Sequence, residues 1–286
     1  MKNFWIRTAS ATVYALLFIG AMMSGQLTRS SLAGHFILLA FLLFVALGCT
    51  FEFYRMMKRQ GSRPMEWVGY CLIALTMIAW GVTTAPYNHF NDHVFNYAVT
   101  PLMAIGLLGF AVVAIAELWR PSEQPFRDIA YTLLPMAYIM LPLSLMLLLN
   151  SMHLLLAVVV WVWVCDCFAY MGGSIVGRHT MWARHSPGKT WEGTAIGVVC
   201  CVAVAIITGP LFNQDLEWYN WMIIALICSI FGTLGDLVES MLKRSVGVKD
   251  SGTIMPGHGG FLDRFDSLLI ITPIVCLYVE FVLPLI

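Results

Sequence analysis

Ser240-Met-Leu-Lys-Arg-Ser-Val-Gly-Val-Lys-Asp-Ser-Gly-Thr-Ile-Met-Pro-Gly-His-Gly-Gly-Phe-Leu-Asp-Arg-Phe-Asp266 is an island of charge and glycine in an oily chain. The runs flanking it, about 218–237 and 266–286, are apolar and close to the ~20 residues that cross a ~30 Å hydrocarbon core. Charge near hydrocarbon is costly, so a dense polar cluster between two such runs marks a functional site.

Working outward, the 286 residues are 59% hydrophobic and 11% charged, against about 25% charged in a soluble domain. Nine spans are expected, near 9–26, 32–51, 66–83, 95–117, 129–149, 152–170, 194–212, 218–237 and 266–286. Pro135 and Pro142 interrupt the fifth, which a membrane helix tolerates when neighbours satisfy the freed carbonyls. The polar connections are too short to fold alone. The fold class is therefore an all-α polytopic membrane protein. Five N-terminal spans fill 1–150; four more, with polar loops 166–194 and 236–266, fill 151–286.

Lys and Arg alternate between the connections, and one face collects fifteen of the sixteen. The positive-inside rule then places the N-terminus in the cytosol, the C-terminus outside, and both polar loops on the cytosolic side. Lys2 and Arg7 precede the first apolar run as in a secretory signal, but no small-x-small cleavage site follows, so an uncleaved first span is expected. A formal net charge of zero and no basic tail leave no footprint for nucleic acid. The eight cysteines sit in or beside apolar runs and read as small hydrophobes. His89 and His93 read as part of a solvated loop, and the Glu52–Glu66 run as an interfacial connection carrying no site.

In the first polar loop, Gly188-Lys189-Thr190 resembles the end of a phosphate-binding P-loop. That motif needs a glycine where Ala183 stands and a strand before it, so a P-loop is rejected. A Gly/Pro turn presenting Lys189 and Thr190 to phosphate survives. Gly173, Gly177, Gly193 and Gly197 have the spacing of close helix packing.

Asp236, Ser240 and Lys243 share one helical stripe, flanked by Glu239 and Arg244. Asp236 lies too deep, beside Gly232 and Gly235, for a short acid to snorkel out. Gly259 and Gly260 let backbone approach an anion. Asp263 and Asp266 sit three apart on the helix that follows. Carboxylates with phosphates can hold Mg²⁺, and Lys189, Lys243, Arg244, Lys249 and Arg264 can neutralise phosphate oxygens. Transfer of a phosphoryl-type group needs little beyond positioning and charge stabilisation. Residue chemistry alone thus reaches a membrane enzyme that handles phosphates with a divalent metal.

The same stretch resembles the signature of the phosphatidate cytidylyltransferases. The match runs through Ser240, Leu242, Lys243, Arg244, Lys249, Asp250, Gly252, Pro256, His258, Gly259, Gly260, Phe261, Asp263, Arg264, Phe265 and Asp266. Ser186-Pro-x-Lys-Thr-Trp-Glu-Gly193 and Asp166-x-x-Ala-Tyr170 are similar to two further family elements. Met255 and Cys167 depart from it: another apolar residue, and a hydroxyl, are usual there. The resemblance implies transfer of CMP from CTP to phosphatidate, giving CDP-diacylglycerol and pyrophosphate. It implies Mg²⁺, with a monovalent cation such as K⁺ as a possible companion, held by Asp236, Ser240 and Asp263. Asp266 would support the metal or a proton transfer. Lys189, Thr190, Lys243, Arg244, Lys249, His258, Gly259, Gly260 and Arg264 would meet nucleotide and phosphates. A homodimer in the inner (plasma) membrane, its site open to the cytosol, is implied as well. A CTP-dependent polyprenol kinase and an ion-coupled transporter share the layout. Transporters often repeat their halves, and the 240–266 pattern does not recur 100–150 residues away.

Overall fold

In a computed structural model, backbone is described for residues 2–85, 92–151, 154–212, 216–252 and 259–283; side chains are described from residue 12, apart from 86–100 and 151. His258, Pro256, Met255, His89 and the His93 side chain lie outside the described residues. The chain forms two compact units, 1–148 with 250–264, and 149–249 with 265–286.

Among the described residues, seven helices are long and apolar enough to cross a membrane: Ser31–Arg59, Glu66–Thr84, Pro125–Asn150, Leu154–Val176, Trp191–Phe212, Trp218–Ser245 and Leu262–Val282. Two more, α1 (Lys2–Met22) and α5 (Asp92–Glu117), have described apolar cores of only Thr12–Met22 and Pro101–Glu117.

In the first unit, α3 (Ser31–Arg59) buries Leu38, Leu42, Val45, Ala46, Cys49 and Phe53. Ser30 caps it, its hydroxyl accepting from Ala33 N. The next helix, α4 (Glu66–Thr84), approaches through glycines: a Cβ on Gly69 would strike the Tyr54 hydroxyl, and one on Gly81 would strike Leu39. Tyr54 donates to Thr132 O at 2.8 Å, and Trp80 Nε1 to Ser144 O at 2.9 Å. The proline-bearing span does stay one rod. It runs as α6 (Pro125–Pro135), a π-helical turn (Met136–Met140) and α7 (Leu141–Ser151). Pro142 has no N–H for the preceding turn, and the widened π turn absorbs that missing bond. Below it, buried Asp128 accepts from Arg63 N at 2.8 Å and Ser122 Oγ at 2.7 Å, which pins the connection into α4.

In the second unit, α8 (Leu154–Val176) and α9 (Trp191–Phe212) meet main chain to main chain. A Cβ on Gly193 would lie 2.6 Å from Ala169 O and 2.8 Å from Gly173 Cα; one on Gly197 would lie 2.9 Å from Cys165 O. Packing is thus what these glycines provide. In lipid, where apolar burial gives no driving force between helices, such contact holds them together. α10 (Trp218–Ser245) joins through Trp221, whose ring fills the space that Gly209 leaves and meets Trp161 edge to face at 5.6 Å.

Two of the predicted polar loops are shorter than hydropathy implies. Helix α8 continues past Asp166 to Val176, and α10 past Asp236 to Ser245. Hydropathy fades within a turn of the first polar residues, whereas an i→i−4 ladder does not. Between α8 and α9 lies an antiparallel hairpin, β1 (Thr180–Trp182) and β2 (Ser186–Thr190), with Thr180 opposite Thr190 and Trp182 opposite Ser186. Among the described residues, that hairpin departs from an otherwise helical pattern. The last helix, α11 (Leu262–Leu277), extends through a π-helical turn to Val282.

Candidate functional site

The second unit holds a cavity of about 380 Å³, open to solvent and lined by α8, the hairpin, the start of α9 and α10. Asp166, Tyr170 and Ser174 face it from α8, Lys189 and Thr190 from β2, and Asp236 from α10. Sequence placed these on separate segments. The glycine seam brings them together, because without Gly193 and Gly197 the start of α9 could not sit against α8.

Lys189 is the centre of charge. Its Nζ lies 2.6 Å from Asp236 Oδ2 and donates to Thr233 O at 3.2 Å. Gly188-Lys189-Thr190 is extended strand, consistent with rejection of a P-loop nest. Thr190 has a second duty: its Oγ1 accepts from Gly193 N at 3.2 Å, capping α9. Glu192 fixes the hairpin base, accepting from the backbone N–H groups of Arg178 and His179 at 3.2 Å and contacting His179 Nδ1 at 2.5 Å.

On α10, Asp236 Oδ1 accepts from Ser240 Oγ at 3.3 Å, as their common stripe predicts. Lys243 continues the same helix. It pairs with Glu239, whose side chain is fully buried. A Cβ on Gly235 would lie 2.8 Å from Asp266 O, and Ser267 Oγ donates to Gly232 O at 3.0 Å, so α11 lies directly on α10 here. This close approach gathers one carboxylate oxygen from each of Asp236, Glu239 and Asp266 within 4.8 Å of one another. A set of oxygen donors alone suits a hard cation such as Mg²⁺. Asp166, with Asp236 on the same cavity wall, adds a further acid.

α10 ends in a Schellman turn: Gly247 at φ 72° donates to Arg244 O at 3.1 Å, and Val248 to Lys243 O at 3.0 Å. It stops the helix just past the Lys243-Arg244 pair and leaves Arg244 and Lys249 exposed.

Asp263 and Arg264 belong to the first unit. Arg264 is exposed. Asp263 Oδ2 accepts from Gly260 N at 2.7 Å and from Ser251 N and Oγ at 3.0 and 2.9 Å. Gly259 has φ 81°, a left-handed conformation that favours glycine, and a Cβ there would meet that same Asp263 carboxylate. The two motif glycines thus act through the loop's own acid.

Two buried acids stand outside the sequence expectations. Glu239 flanks the stripe there, yet its carboxylate joins the group with Asp236 and Asp266. Glu52 belongs to no site there; it is a buried α3 residue, 1% exposed, bonded to backbone beside Asp263. No local pattern marks Glu52, because its partners lie about two hundred residues downstream.

With that geometry in place, residues 5–282 match the profile of the "Cytidylyltransferase family". The chain belongs to this family. It is 32% identical over 275 residues to the phosphatidate cytidylyltransferase of Staphylococcus haemolyticus, covering 94% of this chain and 96% of that protein. It is 37% identical over 181 residues to that of Staphylococcus aureus, covering 62% and 68%. The C-terminal signature and the family agree, and the protein is a membrane-embedded nucleotidyltransferase.

Proposed function

We propose that the protein transfers CMP from CTP to phosphatidate at the α8–α10 cavity, releasing pyrophosphate and CDP-diacylglycerol. The observation that carries this is Lys189 paired with Asp236 on the cavity lining, where Asp236 also belongs to a group of three acids. A phosphatidate phosphate oxygen attacks the α-phosphorus of CTP, and the bond from that phosphorus to the bridging oxygen of the β-phosphate breaks. The electron pair leaves with pyrophosphate. The attacking oxygen needs no base when the monoester is dianionic, its second pKa being about 6.

Lys189 holds negative charge where the phosphates meet, Lys243, Arg244 and Lys249 are further cations of the same unit, and the family signature adds Arg264 to the phosphate-binding set. Asp236, with Ser240, Glu239 and Asp266, would hold Mg²⁺; the family signature adds Asp263 to that role, His258 to the nucleotide side and K⁺ as a companion ion. Bound Mg²⁺ supplies neutralisation of phosphate oxygens and of the leaving pyrophosphate.

We propose further that α1 and α5 complete nine spans, with the N-terminus and the site in the cytosol and the C-terminus outside. The basic-residue alternation supports this. The enzyme would then sit in the inner (plasma) membrane as a homodimer, where CTP arrives from water and phosphatidate from the leaflet.

Purified protein in detergent, given phosphatidate and CTP labelled at either the α- or the γ-phosphorus, tests the reaction. Label from the α-position is expected in the lipid, with Mg²⁺ and not with EDTA. Label from the γ-position in the lipid would instead make the protein a kinase and overturn the reading. A C-terminal alkaline phosphatase fusion should be active outside the cytosol; an inactive one refutes the orientation.

A further inference from the structure

Glu52 sits eight residues below Phe44 and four below Gly48 on α3, so the three share one face. That face receives the signature segment. Phe261 meets Phe44 edge to face at 5.5 Å, and a Cβ on Gly48 would lie 2.7 Å from the Phe261 ring. Glu52 Oε1 then accepts from Phe261 N at 3.0 Å, and Oε2 from Leu262 N at 3.0 Å and Ser251 Oγ at 2.9 Å. A Cβ on Gly252 or Gly260 would collide with the Glu52 carboxylate.

Packing alone does not call for an acid here. A buried carboxylate is costly, and an apolar side chain would fill the space at less expense. What the acid adds is acceptors for the N–H groups at the start of α11, which have no carbonyl one turn back. Phe261, next to the first helical residue, has no side-chain oxygen to cap them. A carboxylate at that place also suits a helix N-terminus. Asp263 is the second residue of that helix and shares the Ser251 hydroxyl with Glu52, at 2.9 Å from each acid. The hydroxyl has one proton, so it serves the two carboxylates by sharing or alternating that donor, and its oxygen sits at the junction of both.

We propose that Glu52 is a positioning residue for catalysis: it caps α11 from a distant helix and thereby sets the signature backbone at Gly260–Leu262 and the carboxylate of Asp263. The proposal rests on the cytidylyl-transfer reading for its activity readout alone. The test uses full-length protein in nanodiscs, with E52A, E52Q, E52D and G252A. Hydrogen exchange over peptides containing Phe261 and Leu262 is the first readout. E52A should speed it at least tenfold while the β1–β2 hairpin stays within twofold.

The second readout is steady-state kinetics. E52A should lower kcat at least thirtyfold with KM for CTP within threefold, and E52Q, which keeps one acceptor oxygen, should fall between. Gly252→Ala puts a methyl against the Glu52 carboxylate, so it should also lower kcat, and E52A/G252A should be no slower than E52A. Unchanged exchange in E52A, kcat within twofold of wild type, or losses that multiply in the double variant would each overturn the proposal. If E52A does not fold, faster exchange at 261–262 in G252A supports it and unchanged exchange sinks it. A wild-type protein that makes no CDP-lipid defeats the proposed reaction and leaves the exchange result to decide on Glu52.

Discussion

Lys189→Met separates a structural brace from a catalytic cation. At 2.6 Å from Asp236, the bare attraction is about 6 kcal/mol for an effective dielectric near 20. Both side chains keep contact with water, at 23% and 34% exposure. Screening and the desolvation of each ion take back most of that attraction, and exposed pairs measure about 0.2–1 kcal/mol. The substitution should therefore lower the unfolding midpoint by only about 2–4 °C. Loss of a charged donor aimed at charge developing on phosphate is a larger effect, about 10²–10³ in kcat. The assay pairs thermal unfolding followed by tryptophan fluorescence with CDP-lipid formation at saturating CTP. Lys189→Arg should recover part of the rate, since it keeps the charge but not the point geometry of an ammonium. A methionine variant within threefold of wild-type kcat would refute the catalytic role. So would a midpoint drop above about 10 °C with activity lost in proportion, which would make Lys189 a brace for α10.

Glu239→Gln leaves Lys243, with 11% of its side chain exposed, without its buried counter-charge. It should destabilise by about 3–5 kcal/mol, read from thermal unfolding, whereas E239Q/K243M should recover much of that stability and remain inactive. Asp266→Asn removes one of the three gathered carboxylates and should raise the Mg²⁺ concentration for half-maximal rate at least tenfold; an unchanged Mg²⁺ titration would take Asp266 out of the ion site. Gly197→Leu drives a side chain into Cys165 O and Ala169 of α8; size-exclusion profiles should show aggregation or a large midpoint loss, and a monodisperse, active variant would contradict the seam. Gly259→Ala forces φ 81° on a residue with a Cβ, costing about 1–2 kcal/mol and slowing turnover through Asp263.

The long spans were legible because apolar runs of about twenty residues have few other fates. Ser240 with Asp236 was legible too, since a helix puts i and i+4 together whatever surrounds it. The same rule lets Lys243 reach back one turn to Glu239, and only the tertiary surroundings make that acid fully buried. Lys189 could be named as a phosphate contact, but its approach to Asp236 depends on how α9 seats on α8, a property of four glycines in combination. Glu52 was illegible for a different reason. Its neighbours Arg55, Lys58 and Arg59 read as an interfacial charge run, and the backbone N–H groups it serves leave no trace in sequence.

The glycine seam between α8 and α9 has a further consequence. A seam made of main chain has no rotamers with which to reshape itself. The spacing of α8 and α9 behind the cavity is therefore fixed, and under the proposed reaction any tuning of substrate choice falls to side chains that line it, such as Lys189 and Tyr170. Relatives with altered taste for substrate should therefore differ at those two kinds of position before they differ at the glycines.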